Sequence, residues 1–313
     1  MKRRHALLLT AAWMLLNLAP RPCPAASAPT AAMFHGSVAV ADAAGNSLMA
    51  RSAEACRRFA AGSGVDAFLT AWAFPVFEPV HSCRRRRGVD DAGPLAIASR
   101  SGRIVVNAGR DHGLNLSRGQ GADEASVSWG VLVFLNQVKD GRCRISDVEL
   151  LAPDREYDLG GERLLWLGAA DEAQGLEFLR SLLGRNGDRD LRQNLVFALY
   201  MFRGTQAVSD LIGLARRDPD TAVRKDAIFW LGQKASAAAV RALGDVIASP
   251  EILEVKKHAI FALSQLPEDK GTPLLLEIAR RNPHAGLRKE AIFWLGESGD
   301  PRALDFFEDI LLK

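Results

Sequence analysis

Basic residues recur at a fixed interval in the second half of the sequence. The set comprises Arg192, Arg224, Lys225, Lys256, Lys257, Arg288 and Lys289. Corresponding members lie 32 residues apart, so a repeating fold would align them in one positively charged stripe, here called the basic ladder. Two interpretations apply. The basic ladder binds an acidic partner, or each cation pairs with a carboxylate of an adjoining turn, such as Asp190, Asp220 or Glu254, and links neighbouring units. It is the candidate partner-binding site.

The remaining chemistry-bearing residues form no recognisable active site. Six histidines are spread over positions 5, 35, 81, 112, 258 and 284 without metal-ligand spacing. The sequence contains no nucleophile elbow, P-loop or dinucleotide fingerprint. We therefore expect no catalytic residues, no metal and no cofactor. The run Arg84–Arg87 is typical of a solvated loop, and the alternative is a site for an anionic surface or polymer.

The N-terminus has the order of a secretory leader. A basic end, Lys2–His5, precedes an apolar run from Ala6 to Ala19 and then a small-residue stretch through Ala28. Residues 1–28 are therefore predicted to be a signal peptide, with cleavage after Ala25, Ala28 or Ala32, and the alternative is a buried first helix. Export places the protein in the periplasm or outside the cell, with no membrane span after leader removal.

Charge and composition limit the classes of partner that the protein is expected to bind. The chain is 48% hydrophobic and 25% charged, typical of a soluble protein of one to three domains. Forty basic residues less the four of the leader leave 36, against 37 acidic residues. The mature chain is thus about neutral, and we expect no nucleic-acid partner because such partners need a basic footprint.

Three cysteines remain after the leader: Cys56, Cys83 and Cys143. Export favours oxidation, and an odd number permits at most one internal bridge. We predict a disulfide between Cys83 and Cys143, because both lie in strand-rich sequence whereas Cys56 lies in a helical stretch. The alternative is that all three are unpaired or buried.

Residues 33–155 predict a small antiparallel β-rich module. Its first part reads as a short hairpin, Ser37–Ala41 with Ser47–Ala50 across the turn-prone Gly45-Asn46, followed by a helix from Ser52 to Ala61. Asp140-Gly141 between two apolar runs is a strong hairpin signal. The further strand candidates are 71–77, 95–98, 103–107, 128–135 and 142–145.

Residues 159–313 predict an α-solenoid of about five helical hairpins. The phrase Val223–Gly232 returns as Leu287–Gly296 with eight of ten positions identical, and related copies start at Val255 and Leu191. A worn copy further upstream ends in Leu164–Gly168. A fixed period of this length is the mark of stacked repeats. We expect helices to start at Asp218-Pro219, Ser249-Pro250, Asn282-Pro283 and Asp300-Pro301, and the first helices to stop at Gly232 and Gly296.

Apolar residues on three sides of each first helix require neighbouring units to cover it. One position alternates large and small along the stack: Trp166, Ala198, Trp230, Ala262, Trp294. We predict that these tryptophans fill space beside the alanines as core residues. The alternative is an aromatic groove for a peptide or a sugar.

Residues Leu159 to Lys313 resemble the short HEAT repeats also found in phycobilin-lyase-type proteins. The resemblance rests on the paired helices, the phrase Val-Arg-x-x-Ala-x-x-x-Leu-Gly and the 32-residue spacing. The whole chain is similar to exported bacterial proteins that place a sheet module before such repeats, on Asp158–Gly161 followed by Leu164–Leu167. The resemblance implies an α+β chain that binds an unknown protein partner along a curved surface. We expect a non-enzymatic interaction scaffold acting outside the cytoplasm, and the alternative is a lyase-like or thiol-dependent enzyme.

Overall fold

The computed structural model describes residues 28–42, 47–60, 65–76, 80–82, 94–107, 114–116, 128–185, 188–266 and 270–312. The strands are β1 Phe34–Val40, β2 Ala67–Pro75, β3 Val80–Ser82, β4 Leu95–Arg100, β5 Arg103–Asn107, β6 Leu114–Leu116, β7 Trp129–Lys139, β8 Arg142–Leu151 and β9 Tyr157–Ala169. The helices are α1 Leu48–Ala60, α2 Glu172–Arg185, α3 Arg189–Tyr200, α4 Thr205–Arg217, α5 Thr221–Lys234, α6 Ala237–Ala248, α7 Leu253–Ser264, α8 Thr272–Arg281, α9 Ala285–Ser298 and α10 Pro301–Leu311. This is the predicted α+β architecture, a sheet module followed by a run of helices.

The main sheet is mixed, and β9 is its organising strand. The hydrogen-bonded order is β5-β4-β9-β2-β7-β8. Strand β1 lies off this path and also pairs with β9. Strands β1, β2 and β4 run parallel to β9, whereas β4–β5, β2–β7 and β7–β8 are antiparallel. The predicted hairpin turn at Asp140-Gly141 is present, and Ser101-Gly102 forms the turn between β4 and β5; all four residues have positive φ. The module is therefore not purely antiparallel, because its last strand joins strands from distant parts of the chain.

Alternation along the strands produces two apolar layers. Leu164 and Trp166 of β9 point into a cluster enclosed by the curled sheet, which also contains Leu69, Val133 and Leu151. Leu165 and Leu167, on the opposite face, belong to the core shared with the helices. Because successive side chains of a strand face opposite ways, a strand buried on both faces is apolar throughout. This explains why β2 and β7 read as continuous apolar runs.

Side chains connect the two free edges of the curled sheet. The Asp147 carboxylate on β8 accepts a hydrogen bond from the backbone N–H of Ile104 on β5, at 2.8 Å. The Ser146 hydroxyl donates to the Gly102 carbonyl at 3.1 Å. Asp147 also accepts from the Asn194 side chain of α3 at 3.1 Å. One buried carboxylate thus joins both sheet edges to the first helix pair.

The segment from 47 to 50 differs from its prediction. It forms the start of α1 rather than the second strand of a hairpin. Leu48 and Ala55 of this helix are fully buried in the shared core. Arg51 is also buried, and its guanidinium donates to the Leu167 carbonyl at the end of β9 and to the Gln174 side chain at 3.2 Å. This segment is helical because α1 packs its apolar face on the shared core, and such packing supplies most of the stability of a short helix.

The disulfide joins Cys143 to Cys56, so the predicted pairing of Cys143 with Cys83 is wrong. The two Cα atoms are 5.8 Å apart, and the bridge ties α1 to β8. The prediction excluded Cys56 because it is helical, but a disulfide needs only that two Cβ atoms come close. Helix α1 packs on β8 and meets that condition. Cys83 and the run Arg84–Arg87 lie outside the described residues.

Nine helices form the array within the described part of the chain. After α2 they pair as α3–α4, α5–α6, α7–α8 and α9–α10, and first helices stack on first helices. Asp188, Asp220 and Asp300 cap α3, α5 and α10 by accepting backbone N–H groups of the first turn. Only the last of the predicted helix starts, Asp300-Pro301, is a cap. The other three prolines lie in the turns just before the helices begin.

The most upstream copy of the phrase is a strand, not a helix. Residues Leu164–Gly168 lie in β9, and α2 follows where the second helix of that unit was predicted. A short apolar run fits a buried strand as well as a buried helix, and periodicity alone does not separate them. The structure thus has four complete hairpins, with the sheet in place of the first helix of the fifth.

Phe202, in the turn between α3 and α4, packs the helical array against the sheet. Its backbone forms a β-bridge with Val76. Its ring stacks on Phe74 with centroids 4.6 Å apart and contacts Trp72. A Cβ on Gly175 of α2 would lie 2.7 Å from the Phe202 ring, so glycine is required there. Sheet and array share one continuous core as a result.

Glu149 gives the module a testable pH dependence. Burial, and secondly the neighbouring Asp147 carboxylate, raises the pKa of Glu149 from 4.5 to about 7. Between these two pH values the folded protein holds more protons than the unfolded chain, so the free energy of unfolding falls as pH rises through this window. We expect Glu149→Gln, which cannot ionise, to be more stable than the parent by about 2 kcal/mol at pH 8 and equal to it near pH 4.

Urea unfolding followed by circular dichroism at pH 4, 5.5 and 8 measures this difference. Glu177→Gln, at an exposed site on α2, is the matched control and should track the parent at every pH. A Glu149→Gln variant that is less stable than the parent at pH 8 would contradict the assignment.

Candidate protein-binding surface

The first helices of the array lie closer to one another than the second helices do, so the array curves with α3, α5, α7 and α9 on its inner side. Gly232 permits one of these close approaches. A Cβ at this position would lie 2.9 Å from the Ala262 carbonyl oxygen of α7. The helix does not stop at Gly232 as predicted but continues to Lys234, and α9 likewise continues past Gly296 to Ser298. The repeated glycine is thus a packing residue at Gly232, not a helix stop.

A continuous line of aromatic rings runs along the first helices. It is here called the aromatic stripe and comprises Phe197, Phe229, Trp230, Phe261, Phe293 and Trp294. Trp230 lies 4.9 Å from Phe197 and 5.0 Å from Phe229, between ring centroids. Phe229 and Phe261 stack at 6.5 Å. Trp294 continues the line, 4.9 Å from Phe261 and 5.0 Å from Phe293.

Most rings of the aromatic stripe are half-buried, and Phe293 is 55% exposed. Trp230 and Trp294 are therefore not fully enclosed core residues as predicted, although Trp166, in the sheet, is 5% exposed. Ala198 and Ala262 are buried at the corresponding positions of their units. The large and small residues do alternate, but the large ones reach the surface. The result is an apolar surface several units long on the first helices.

Four of the seven cations of the basic ladder pair with carboxylates, and two of these carboxylates lie in the next first helix. Lys225 pairs with Glu254 at 2.7 Å, and Lys257 pairs with Glu290 at 3.0 Å. Of the three carboxylates proposed from sequence, Glu254 is thus a partner in the basic ladder. The other two pair elsewhere, Asp190 with Arg103 of the sheet and Asp220 with Arg189. Among the described residues, Lys256 and Lys289 have no charged partner.

The arginines of the basic ladder connect helix ends. Arg224 pairs with Glu251 at 3.1 Å and donates to the Asp218 carbonyl, at the end of α4, at 2.7 Å. Arg288 donates to the Asn282 carbonyl, at the end of α8, at 2.8 Å. Arg192 pairs with the buried Asp218 carboxylate and donates to the Leu183 carbonyl. Carbonyls at a helix end lack partners within the helix, and a cation there also complements the helix dipole. These contacts give the arginines a structural role.

His258 borders the aromatic stripe as an uncharged group. Its ring lies 5.7 Å from that of Phe261. Burial, and secondly the positive charge of Lys225, lowers the pKa of His258 to about 4. The imidazole is therefore neutral at pH 7, and the surface beside the rings carries no charge from this residue.

Other kinds of site are not supported among the residues that the structure describes. No group of three His, Cys, Asp or Glu side chains is placed to hold a metal ion there. Within the same residues, none of the helices has the length and apolar character needed to span a bilayer. Cys56 and Cys143 are bonded to each other, so neither presents a free thiol. The aromatic stripe, which the sequence suggested only as an alternative, is the candidate surface.

Comparison with known families finds a match within the array. Residues 208–292 and 247–313 match a family of HEAT repeats. HEAT repeats are thus found over residues 208–313. The matched region spans α5 to α10 and most of α4, and α3 stacks on α5 as α5 stacks on α7. No curated protein matches the chain.

Trp230 tests how much the aromatic stripe contributes to stability. Its ring is half-buried and stacks on Tyr200 with centroids 4.6 Å apart. We expect Trp230→Ala to lower the free energy of unfolding by about 2 kcal/mol, less than the roughly 3–5 kcal/mol of a fully buried tryptophan. Urea unfolding monitored by circular dichroism measures it. Phe293→Ala, at an exposed ring, should change stability by less than about 0.5 kcal/mol. Equal losses for the two variants would contradict this description of the stripe.

Proposed function

We propose that this protein is a non-enzymatic scaffold that binds another protein outside the cytoplasm, and that the aromatic stripe is its binding surface. HEAT repeats commonly serve as protein-interaction scaffolds. The observation that carries the proposal is the uninterrupted line of rings from Phe197 to Phe293, which are partly buried except for the exposed Phe293. Aromatic side chains supply large apolar contact area and are enriched at the centres of protein interfaces.

The charges beside the aromatic stripe support an apolar partner over an acidic one. Lys225 and Lys257 are engaged by Glu254 and Glu290, so an acidic partner would have to displace bonds that already exist. His258 is neutral at pH 7. A partner that inserts apolar side chains between the rings leaves these ion pairs in place as a polar rim. The basic ladder then serves mainly to connect units.

Two observations support action outside the cytoplasm. The first 28 residues have the basic, apolar and small-residue order of a secretory leader. The disulfide between Cys56 and Cys143 is typical of proteins that fold in an oxidising compartment. The likeness to phycobilin-lyase-type repeats, and to exported proteins that carry a sheet module, agrees with this proposal at the level of architecture.

Capture of partners by stripe variants tests the binding surface. Phe261→Ser and Phe293→Ser should reduce recovery of bound proteins from the native envelope fraction after crosslinking by roughly tenfold or more, since truncation of a central aromatic residue commonly costs that much. Ile252→Ser is the matched control, because Ile252 is 49% exposed and precedes α7 away from the stripe. It should recover the same proteins in full.

The same capture experiment also tests the alternative that the partner binds the basic ladder. Charge reversals at Arg224, Lys256 and Arg288 test whether its cations contact a partner. Lys256→Glu, at a cation without a described partner, should leave recovery unchanged. If Lys256→Glu abolishes capture while Phe293→Ser does not, the partner binds the basic ladder and the stripe proposal is wrong.

Export is tested on the full chain in its native cells. We expect the protein in the envelope or external fraction, with its N-terminus following Ala25, Ala28 or Ala32 and with Cys56 bonded to Cys143. Cell fractionation, N-terminal sequencing and non-reducing peptide mapping measure these three features. A control with Leu9→Arg and Leu15→Arg interrupts the apolar run and should remain uncleaved in the cytoplasm. Uncleaved parent protein with free thiols in the cytoplasm would exclude the proposed location.

A further inference from the structure

Two hairpin turns of the sheet module are each flanked by a pair of cations. Arg100 lies directly opposite Arg103 across the turn between β4 and β5. Lys139 lies directly opposite Arg142 across the turn between β7 and β8. Like charges that face each other in an antiparallel pair repel and destabilise it. Negative charge from a partner would relieve this repulsion at both turns.

The two turns lie side by side at one end of the curled sheet. A Cβ on Gly102 would lie 2.7 Å from the Gln137 side-chain nitrogen, so the first turn touches β7. Arg103 and Arg144 line the same cleft of about 210 Å³. Arg142 and Arg144 are two residues apart on β8 and share one face of the strand. The cations of both hairpins thus form one surface. It is here called the hairpin patch and comprises Arg100, Arg103, Lys139, Arg142 and Arg144.

Most of the charge on the hairpin patch is uncompensated. All five residues are exposed, and four of them have no side-chain partner in the described part of the chain. Arg103 is the exception, because it pairs with Asp190 at the start of α3. The other carboxylates of the cleft are engaged elsewhere, since Asp188 caps α3 and Asp147 accepts hydrogen bonds from β5 and α3. The four remaining cations are therefore available to a partner.

The hairpin patch concentrates positive charge in a chain whose predicted mature form is about neutral. The spans 100–103 and 137–144 contain five cations and one acid, Asp140. Neither turn segment, Arg-Ser-Gly-Arg or Lys-Asp-Gly-Arg, has a hydrophobic side chain. A partner would thus meet exposed charge without an apolar contact.

We infer that the hairpin patch binds the anionic surface of a phospholipid bilayer, with the headgroup phosphates as its ligands. Four of its five cations are arginines, and the planar guanidinium matches phosphate oxygens in pairs, which an ammonium does not. The cations are spread over two neighbouring turns, so a flat anionic surface contacts them together. The patch belongs to the sheet module, so the inference goes beyond the proposed binding function of the aromatic stripe.

Co-sedimentation with lipid vesicles, using protein purified from its native cells, tests the inference. The protein should bind vesicles of equal parts phosphatidylglycerol and phosphatidylcholine at low salt, and should not bind phosphatidylcholine alone. High salt should release it, because dissolved ions screen contacts between exposed charges. Arg100→Gln and Arg142→Gln should each weaken binding by roughly fivefold, the loss expected for one basic residue at an anionic bilayer.

Arg241→Gln is the matched control. Arg241 on α6 is also exposed and lacks a partner among the described side chains, so this variant removes the same charge from the helical array. It should bind the mixed vesicles like the parent. A parent that does not bind them, or equal losses in Arg142→Gln and Arg241→Gln, would overturn the inference.

Asp140→Asn tests the same surface through a gain of binding. Asp140 has a φ of 51°, which asparagine tolerates, and Asn-Gly is a preferred two-residue hairpin turn. The variant removes the one acid of the two turns and keeps the shape of the hairpin. Binding to the mixed vesicles should strengthen severalfold, a result that misfolding cannot produce. Unchanged or weaker binding would contradict the inference.

An acidic protein segment is the alternative occupant of the hairpin patch. Polyglutamate is the probe for it, because it presents carboxylates along a single chain. A protein that binds polyglutamate but not the mixed vesicles would exclude the lipid surface in favour of such a segment. These measurements use no captured partner, so their failure would leave the proposed function of the aromatic stripe unaffected.

Discussion

None of the helical hairpins in the described part of the chain buries all of its apolar residues by itself, and that constraint organises the whole structure. Ile228 and Ile260 are fully buried because a neighbouring unit covers them, whereas Ile292 is exposed where no described unit follows. Stability in such an array is a sum over unit interfaces, so each unit depends on the units beside it. The inter-unit ion pairs of Lys225 and Lys257 reinforce the interfaces but do not create them, because surface pairs are individually weak.

The sheet module covers the N-terminal end of the helical array. It supplies an apolar face in place of a helix, and Phe202 and Phe178 of the array pack against Trp72 at its centre. The module itself depends on distant contacts, including the disulfide across 87 residues and the Asp147 carboxylate between β5, β8 and α3. A rigid sheet and a repetitive array are thereby combined in one core.

The sequence predicted the helical repeats and one of the hairpin turns. The ten-residue phrase that returns every 32 residues indicated stacked helical hairpins, and Asp140-Gly141 indicated the hairpin of β7 and β8, because each is a pattern of residues that are close together in sequence. It did not predict that Leu164–Gly168 is a strand, since a short apolar run is compatible with both structures. Nor did it predict the bridge from Cys56 to Cys143, which depends on how α1 lies on β8. The aromatic stripe was visible as phenylalanines at a fixed spacing, but exposure is set by the curvature of the array and is not encoded in the spacing.

The position of β9 in the chain has a consequence for how the protein folds during synthesis. Strands β1, β2 and β4 all pair with β9, although Phe34 and its partner Tyr157 are more than a hundred residues apart in sequence. Long-range parallel pairing forms slowly because the loop-closure entropy must be overcome first. Until residue 169 has emerged from the ribosome, the earlier strands lack their common partner and expose apolar edges. A chaperone that holds the nascent chain extended through that interval would protect it from aggregation.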